Sequence, residues 1–111
     1  MTIYELSHAL SLEVLAMPDP DAEVNGGYTG DLLSWVMGRA EAGDVWVTIM
    51  TNINIVAVAL LAGVSGVIIA EAAEIDDKVV AKAKEQGVNL LRSTANSFET
   101  VLSLGRLIEP K

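Results

Sequence analysis

The chain has 111 residues and a net charge of −8, with only seven Lys and Arg residues and none before Arg39. Too few cations are present to neutralise phosphates, which argues against nucleic acid and anionic membranes as partners. The absence of cysteine excludes disulfides, thiol catalysis, Cys-ligated zinc and iron–sulfur clusters.

This length suits one domain over residues 1–111. An apolar fraction of 51% is high for a small monomer and suggests surface covered by a partner. The start, M-T-I-Y-E-L-S-H-A-L, has no basic n-region and carries Glu5, unlike a secretory signal. A cytoplasmic location is expected.

Thr2-Ile3-Tyr4-Glu5 has the form of a capping box, opening a short helix with Ile3, Leu6 and Leu10 on one side. Ser11 to Met17 alternates at Leu12, Val14 and Ala16, a strand pattern. Pro18 and Pro20 make Met17 to Asp21 a loop. Val24 to Tyr28 reads as a short strand. A helix from about Leu32 to Ala40 follows, capped by Thr29 or Asp31, with a broad apolar face. Glu41 to Asp44 is the exit turn.

Val45 to Ala70 contains no charged residue and is long enough to span a bilayer. It has acidic rather than basic flanks, and Asn52, Asn54, Gly63 and Gly66 interrupt it. Its residue types also divide it. Val45 to Met50 is β-branched and aromatic, a buried strand. Thr51-Asn52-Ile53-Asn54 supplies helix caps. Ile55 to Ala62 is a helix stopped at Gly63, and Val64 to Ala70 is a second strand. Strand, helix and strand form a βαβ unit with parallel strands, apolar enough to be covered on both faces. A helix from Asp76-Asp77 to Gln86, a strand Val88 to Arg92 and a helix from the capping box Asn96 to Glu99 to about Ile108 follow, with Pro110 closing the chain. The expected fold is a small layered α/β/α domain with a mainly parallel sheet and a central βαβ unit.

Candidate ligand residues cluster at two turns. Thr51, Asn52 and Asn54 lie after a central strand and before a helix, at the carboxyl edge of the sheet where ligands of open α/β folds bind. Capping needs one Asn, not two. Gly26 and Gly27, with Asp31, precede the next helix. Glycine-rich turns of this kind can bind phosphate, but no G-x-x-x-x-G-K-[ST] is present and Asp31 would repel an anion. Glu71, with Glu74, Asp76 and Asp77, follows the second strand on the same edge. It suits a cation or hydroxylated ligand, or a solvated loop. His8 is the sole histidine, so a triad or zinc site has little support. No catalytic residue, metal set or cofactor is assigned.

The helix from Ile55 to Ala62 has no polar face, which predicts burial all round. A second copy of the chain is the simplest cover, with Ile55, Val56, Val58, Ala59 and Leu60 at or near a homodimer interface. The alternative is cover by the terminal helices of the same chain.

The runs G-G-Y-T-G-D-L-L-S-W-V-M and G-D-V-W-V-T-I-M-T-N-I-N-I-V-A-V-A-L-L-A-G-V-S-G-V-I-I-A resemble the DRTGG domain family, over nearly the whole chain. The naming motif is poorly kept. Ala22 follows Asp21 where arginine is expected, and Asn25-Gly26-Gly27 offers only the glycines, so no role of that arginine is carried over. The resemblance implies a fold similar to the N-terminal domain of HPr kinase/phosphorylase without its P-loop part. Such domains are also accessory parts of phosphotransacetylases and CBS-domain pyrophosphatases. They tend to dimerise and regulate or sense ligands rather than catalyse. The expected function is a non-catalytic regulatory or ligand-sensing homodimer, binding a small metabolite or nucleotide. An interaction module docking on a metabolic enzyme or kinase is the alternative. A small hydrolase using Asp31 or Glu71 is the least supported, since no nucleophile–base pair is visible.

Overall fold

The structure, a computed structural model, describes residues 1–108; the expectation for Pro110 lies outside them. Among the described residues are five helices and five strands, which alternate except that the second strand directly follows the first. They are α1 (Ile3–Ala9), β1 (Glu13–Ala16), β2 (Gly26–Thr29), α2 (Leu33–Arg39), β3 (Asp44–Thr48), α3 (Asn54–Ala62), β4 (Gly66–Ile69), α4 (Asp77–Gln86), β5 (Leu90–Arg92) and α5 (Ser97–Ile108). The strands form one sheet in the order β1-β5-β4-β3-β2. The last four strands in the chain pair in parallel, and β1 joins β5 antiparallel at the edge.

The pleat sends alternate residues to opposite faces. Trp46 of β3, Val67 and Ile69 of β4 and Leu90 of β5 pack with α2, α3 and α4. Val45 and Val47, then Ile68 and Ala70, then Leu91 pack with α1 and α5. Both faces are therefore covered, which explains the uncharged run of the sequence. The longest helix inside that run is α3, with 9 residues. Among the described residues no helix is long and apolar enough to cross a membrane.

The capping box forms as expected. Thr2 Oγ1 accepts from Glu5 N–H at 3.1 Å and Glu5 Oε1 from Thr2 N–H at 2.9 Å. The Thr2 backbone N–H, and after it the Thr2 hydroxyl, hold the Glu5 carboxyl below its ordinary pKa.

Two expectations are corrected. The alternation Leu12, Val14, Ala16 does not share one face. The register against β5 slips between Val14 and Ala16, which turns Val14 outward, half-exposed, while Ala16 is buried. Gly26 and Gly27 belong to the edge strand β2, in keeping with the strand read over Val24 to Tyr28, and not to a ligand turn before α2. A side chain at Gly26 would meet Asp44 Oδ1 at 2.9 Å, and one at Gly27 would meet Leu104 Cδ2 at 3.2 Å.

Candidate functional site

The carboxyl edge of the parallel strands collects most of the expected site residues, in two hydrogen-bonded groups. The first joins the loop after β2 to the loop after β3. Thr48, buried at the end of β3, donates its hydroxyl to Asp31 Oδ1 at 2.7 Å, and the same oxygen accepts from Ile49 N–H at 3.0 Å. Met50 N–H returns to Thr48 Oγ1 at 3.2 Å. Asp31 thus fastens the β3–α3 joint; α2 begins without a side-chain cap, contrary to the expectation for Thr29 or Asp31. Asn52 Oδ1 accepts from Asn54 N–H at 2.9 Å, an Asx turn leading into α3. Asn52 and Asn54 are exposed, and Thr51 is half-buried.

The second group joins the loops after β4 and β5. Glu71 N–H donates to Ala95 O at 2.8 Å and Ala72 N–H to Ser93 O at 2.9 Å. Glu71 Oε2 accepts from Ser97 N–H at 2.7 Å, at the start of α5. A carboxylate there is favoured by the helix dipole. Asn96 Oδ1 takes the Glu99 N–H at 2.8 Å. Behind them Ser93 and Thr100, both buried, share a hydroxyl bond of 2.9 Å. Adjacent strands bring the two groups together, since Ala70 N–H donates to Thr48 O at 2.9 Å.

Gly26 and Gly27 are not part of this edge. They pair with Asp44 and Val45, at the beginning of β3, so a parallel sheet puts them at the opposite end from Asn52 and Asn54. The expected shared pocket of Gly26, Gly27 and the asparagines is not formed; only Asp31 of that segment reaches it.

The interface expectation also changes. Ile55, Val56, Val58 and Ala59 are buried within the chain against the sheet and neighbouring helices. They present almost no surface to a second copy, and of the four only Val56 lines the groove beside α3. Leu60 is 50% exposed, with Ile53 at 48% and Leu61 at 73%. Two neighbouring helices and the sheet cover three sides of α3 and leave this one. A groove of ≈ 490 Å³ runs beside it, lined by Ile53, Asn54, Val56, Ala57, Leu60 and Leu61 with Lys82 and Gln86 of α4.

Chemically the edge is acidic. Arg92, the cation at the end of β5, donates to Glu13 in three bonds at 3.0, 2.9 and 2.8 Å and to Ala73 O at 3.3 Å. Among the described residues no three His, Cys, Asp or Glu side chains are grouped to hold a metal. Ser93 and Thr100 had no place among the sequence candidates. Ser93 directly follows a parallel strand, and the positional rule that selected Thr51 to Asn54 applies equally to it. Asn89 was missed for another reason. It is buried and bridges Asp19 O at 2.7 Å, Asp19 N–H at 3.0 Å and Ser65 O at 2.9 Å, partners distant in sequence.

No curated protein sequence matches the chain significantly. A solved structure similar to it holds the CBS and DRTGG domains of the regulatory region of Clostridium perfringens pyrophosphatase, complexed with the activator diadenosine tetraphosphate. The TM-score is 0.70 at 14% identity, over 89% of this chain and 44% of that one. The likeness is one of fold, and the chain spans less than half of that region. The DRTGG domain family model matches residues 30–107, which takes in β3, β4 and β5 and the four helices α2 to α5, so the chain belongs to the DRTGG domain family.

Proposed function

We propose that residues 1–111 act as one non-catalytic regulatory module that senses a small nucleotide or related metabolite and works as a homodimer. Membership of the DRTGG family carries this reading. The structural neighbour, a regulatory region complexed with a dinucleotide activator, supports the ligand class. The carboxyl edge is the site: Thr51, Asn52 and Asn54 offer hydroxyl and amide groups, and Asp31 and Glu71 hold the loops beside them. Carboxylates line this edge, and Arg92 at the end of β5 is tied to Glu13. Phosphate is disfavoured there, so the uncharged nucleoside end of the ligand is the part recognised. Thermal unfolding with adenosine, ATP and diadenosine tetraphosphate tests the site. A rise in midpoint that Asn54→Ala abolishes, with the fold retained, is expected. Unchanged shifts in Asn54→Ala and Asn52→Ala reject this edge.

The exposed strip Ile53, Ala57, Leu60 and Leu61 supports self-association, because an apolar patch on a small acidic domain favours cover. Sedimentation velocity at micromolar concentration should show a dimer that Leu61→Glu dissociates. A wild-type monomer would instead favour docking of the same groove on a partner enzyme.

A further inference from the structure

We propose that the slot between β2 and α5 is a binding site for a compact, uncharged, ring-sized apolar group, separate from the carboxyl edge. The slot measures ≈ 130 Å³ and is lined by Gly27, Tyr28 and Thr29 of β2, Val47 of β3, and Val101, Leu104, Gly105 and Ile108 of α5. Val101, Leu104, Gly105 and Ile108 are the stripe that an amphipathic helix turns to its sheet. Three of the four are large and apolar; the fourth is glycine. Glycine is the worst helix former except proline, and it is kept in such a place when a neighbour must come close. Here nothing comes close: a side-chain carbon built at Gly105 meets no atom within 4 Å. The helix therefore bears the propensity penalty of Gly105 while the space before it stays open. Across the slot stands Gly27, also without a side chain, at an exposed part of the edge strand.

The lining decides the ligand. Among the described residues that line it none is charged, and the Thr29 hydroxyl hydrogen is spent on Val47 O at 3.1 Å. An ion would lose its hydration without compensation. The volume excludes a helix or strand of a partner protein. An apolar cavity of about 150 Å³ holds one benzene ring, so a single small ring or a branched aliphatic end is the matching size.

Titration of the ¹⁵N-labelled full chain with toluene and with indole tests this. Saturable amide shifts at Gly27, Thr29, Val47, Leu104 and Gly105 are expected, with at least tenfold weaker binding in Gly105→Leu, whose side chain occupies the slot. Gly105→Ala, a smaller filler that favours the helix, should weaken binding severalfold, and it decides the matter if Gly105→Leu does not fold. No saturable shift at these amides up to the solubility limit overturns the proposal. So do shifts confined to the α3–α4 groove, or affinity unchanged in the folded variants.

Discussion

Glu71 and Ala72 hold φ of 66° and 51°, left-handed values that cost a residue with a side chain about 1–2 kcal/mol. Two backbone bonds to Ala95 and Ser93 hold them there. Ala72→Gly should therefore stabilise the protein by ~0.5–1 kcal/mol, read as a higher urea midpoint with unchanged slope. Glu71→Gly relieves the same strain but removes the carboxylate from Ser97 N–H, so its midpoint should stay below that of Ala72→Gly. Nothing in Ala70 to Asp76 announces this backbone, because a left-handed turn is legible only when glycine or asparagine occupies it. The cap at Glu5 was legible, since Thr and Glu three apart name both partners. Its lowered pKa implies a stabilisation present at neutral pH. It is lost as pH falls through the usual glutamate range and past the folded-state value. The midpoint gap between wild type and Glu5→Gln should shrink over that fall.

At the scale of elements, α3 shows what periodicity can and cannot decide. A helix without a polar face predicts cover on every side, and the sequence supplies no phase to tell inside from outside. The structure supplies it: Ile55, Val56, Val58 and Ala59 face inward, and Ile53, Ala57, Leu60 and Leu61 face out. Packing against α2 and α4 as well as the sheet leaves only that strip. The two sides should respond differently. Ile55→Ala opens a core cavity and should cost about 2–4 kcal/mol in urea unfolding. Leu61→Glu should change monomer stability by less than about 0.5 kcal/mol, its effect falling on association. The βαβ unit around α3 was legible because its strands are rich in Val, Ile and Thr and its helix is closed by Gly63 at φ +72°. Gly26 and Gly27 were legible only as strand or turn, since glycine signals a turn and a close approach equally well.

The whole molecule depends on seating α1, which belongs to no βαβ unit, against the centre of the sheet. Two contacts do this. Backbone bonds tie Ile3 N–H to Ala22 O at 2.9 Å and Val24 N–H to Met1 O at 2.9 Å. Ile3, fully buried, lies over Gly66, the first residue of β4. A side-chain carbon at Gly66 would stand 2.8 Å from Ile3 Cδ1 and 3.0 Å from Cγ1. Such a pairing joins residues 63 positions apart and could not be read from spacing, whereas the alternation of strands and helices that sets the layers could. The contact predicts a compensating pair. Gly66→Ala should cost about 1–3 kcal/mol by overpacking. Ile3→Val removes the Cδ1 methyl and alone should cost about 0.5–1.5 kcal/mol. Together they should cost less than the sum, because the new methyl occupies the space that Cδ1 vacates. Urea unfolding of the four proteins measures the coupling, expected at about 0.5–1 kcal/mol in favour of the double variant. Strict additivity would mean that α1 shifts as a body to admit the alanine, and that Ile3 does not fix its seat.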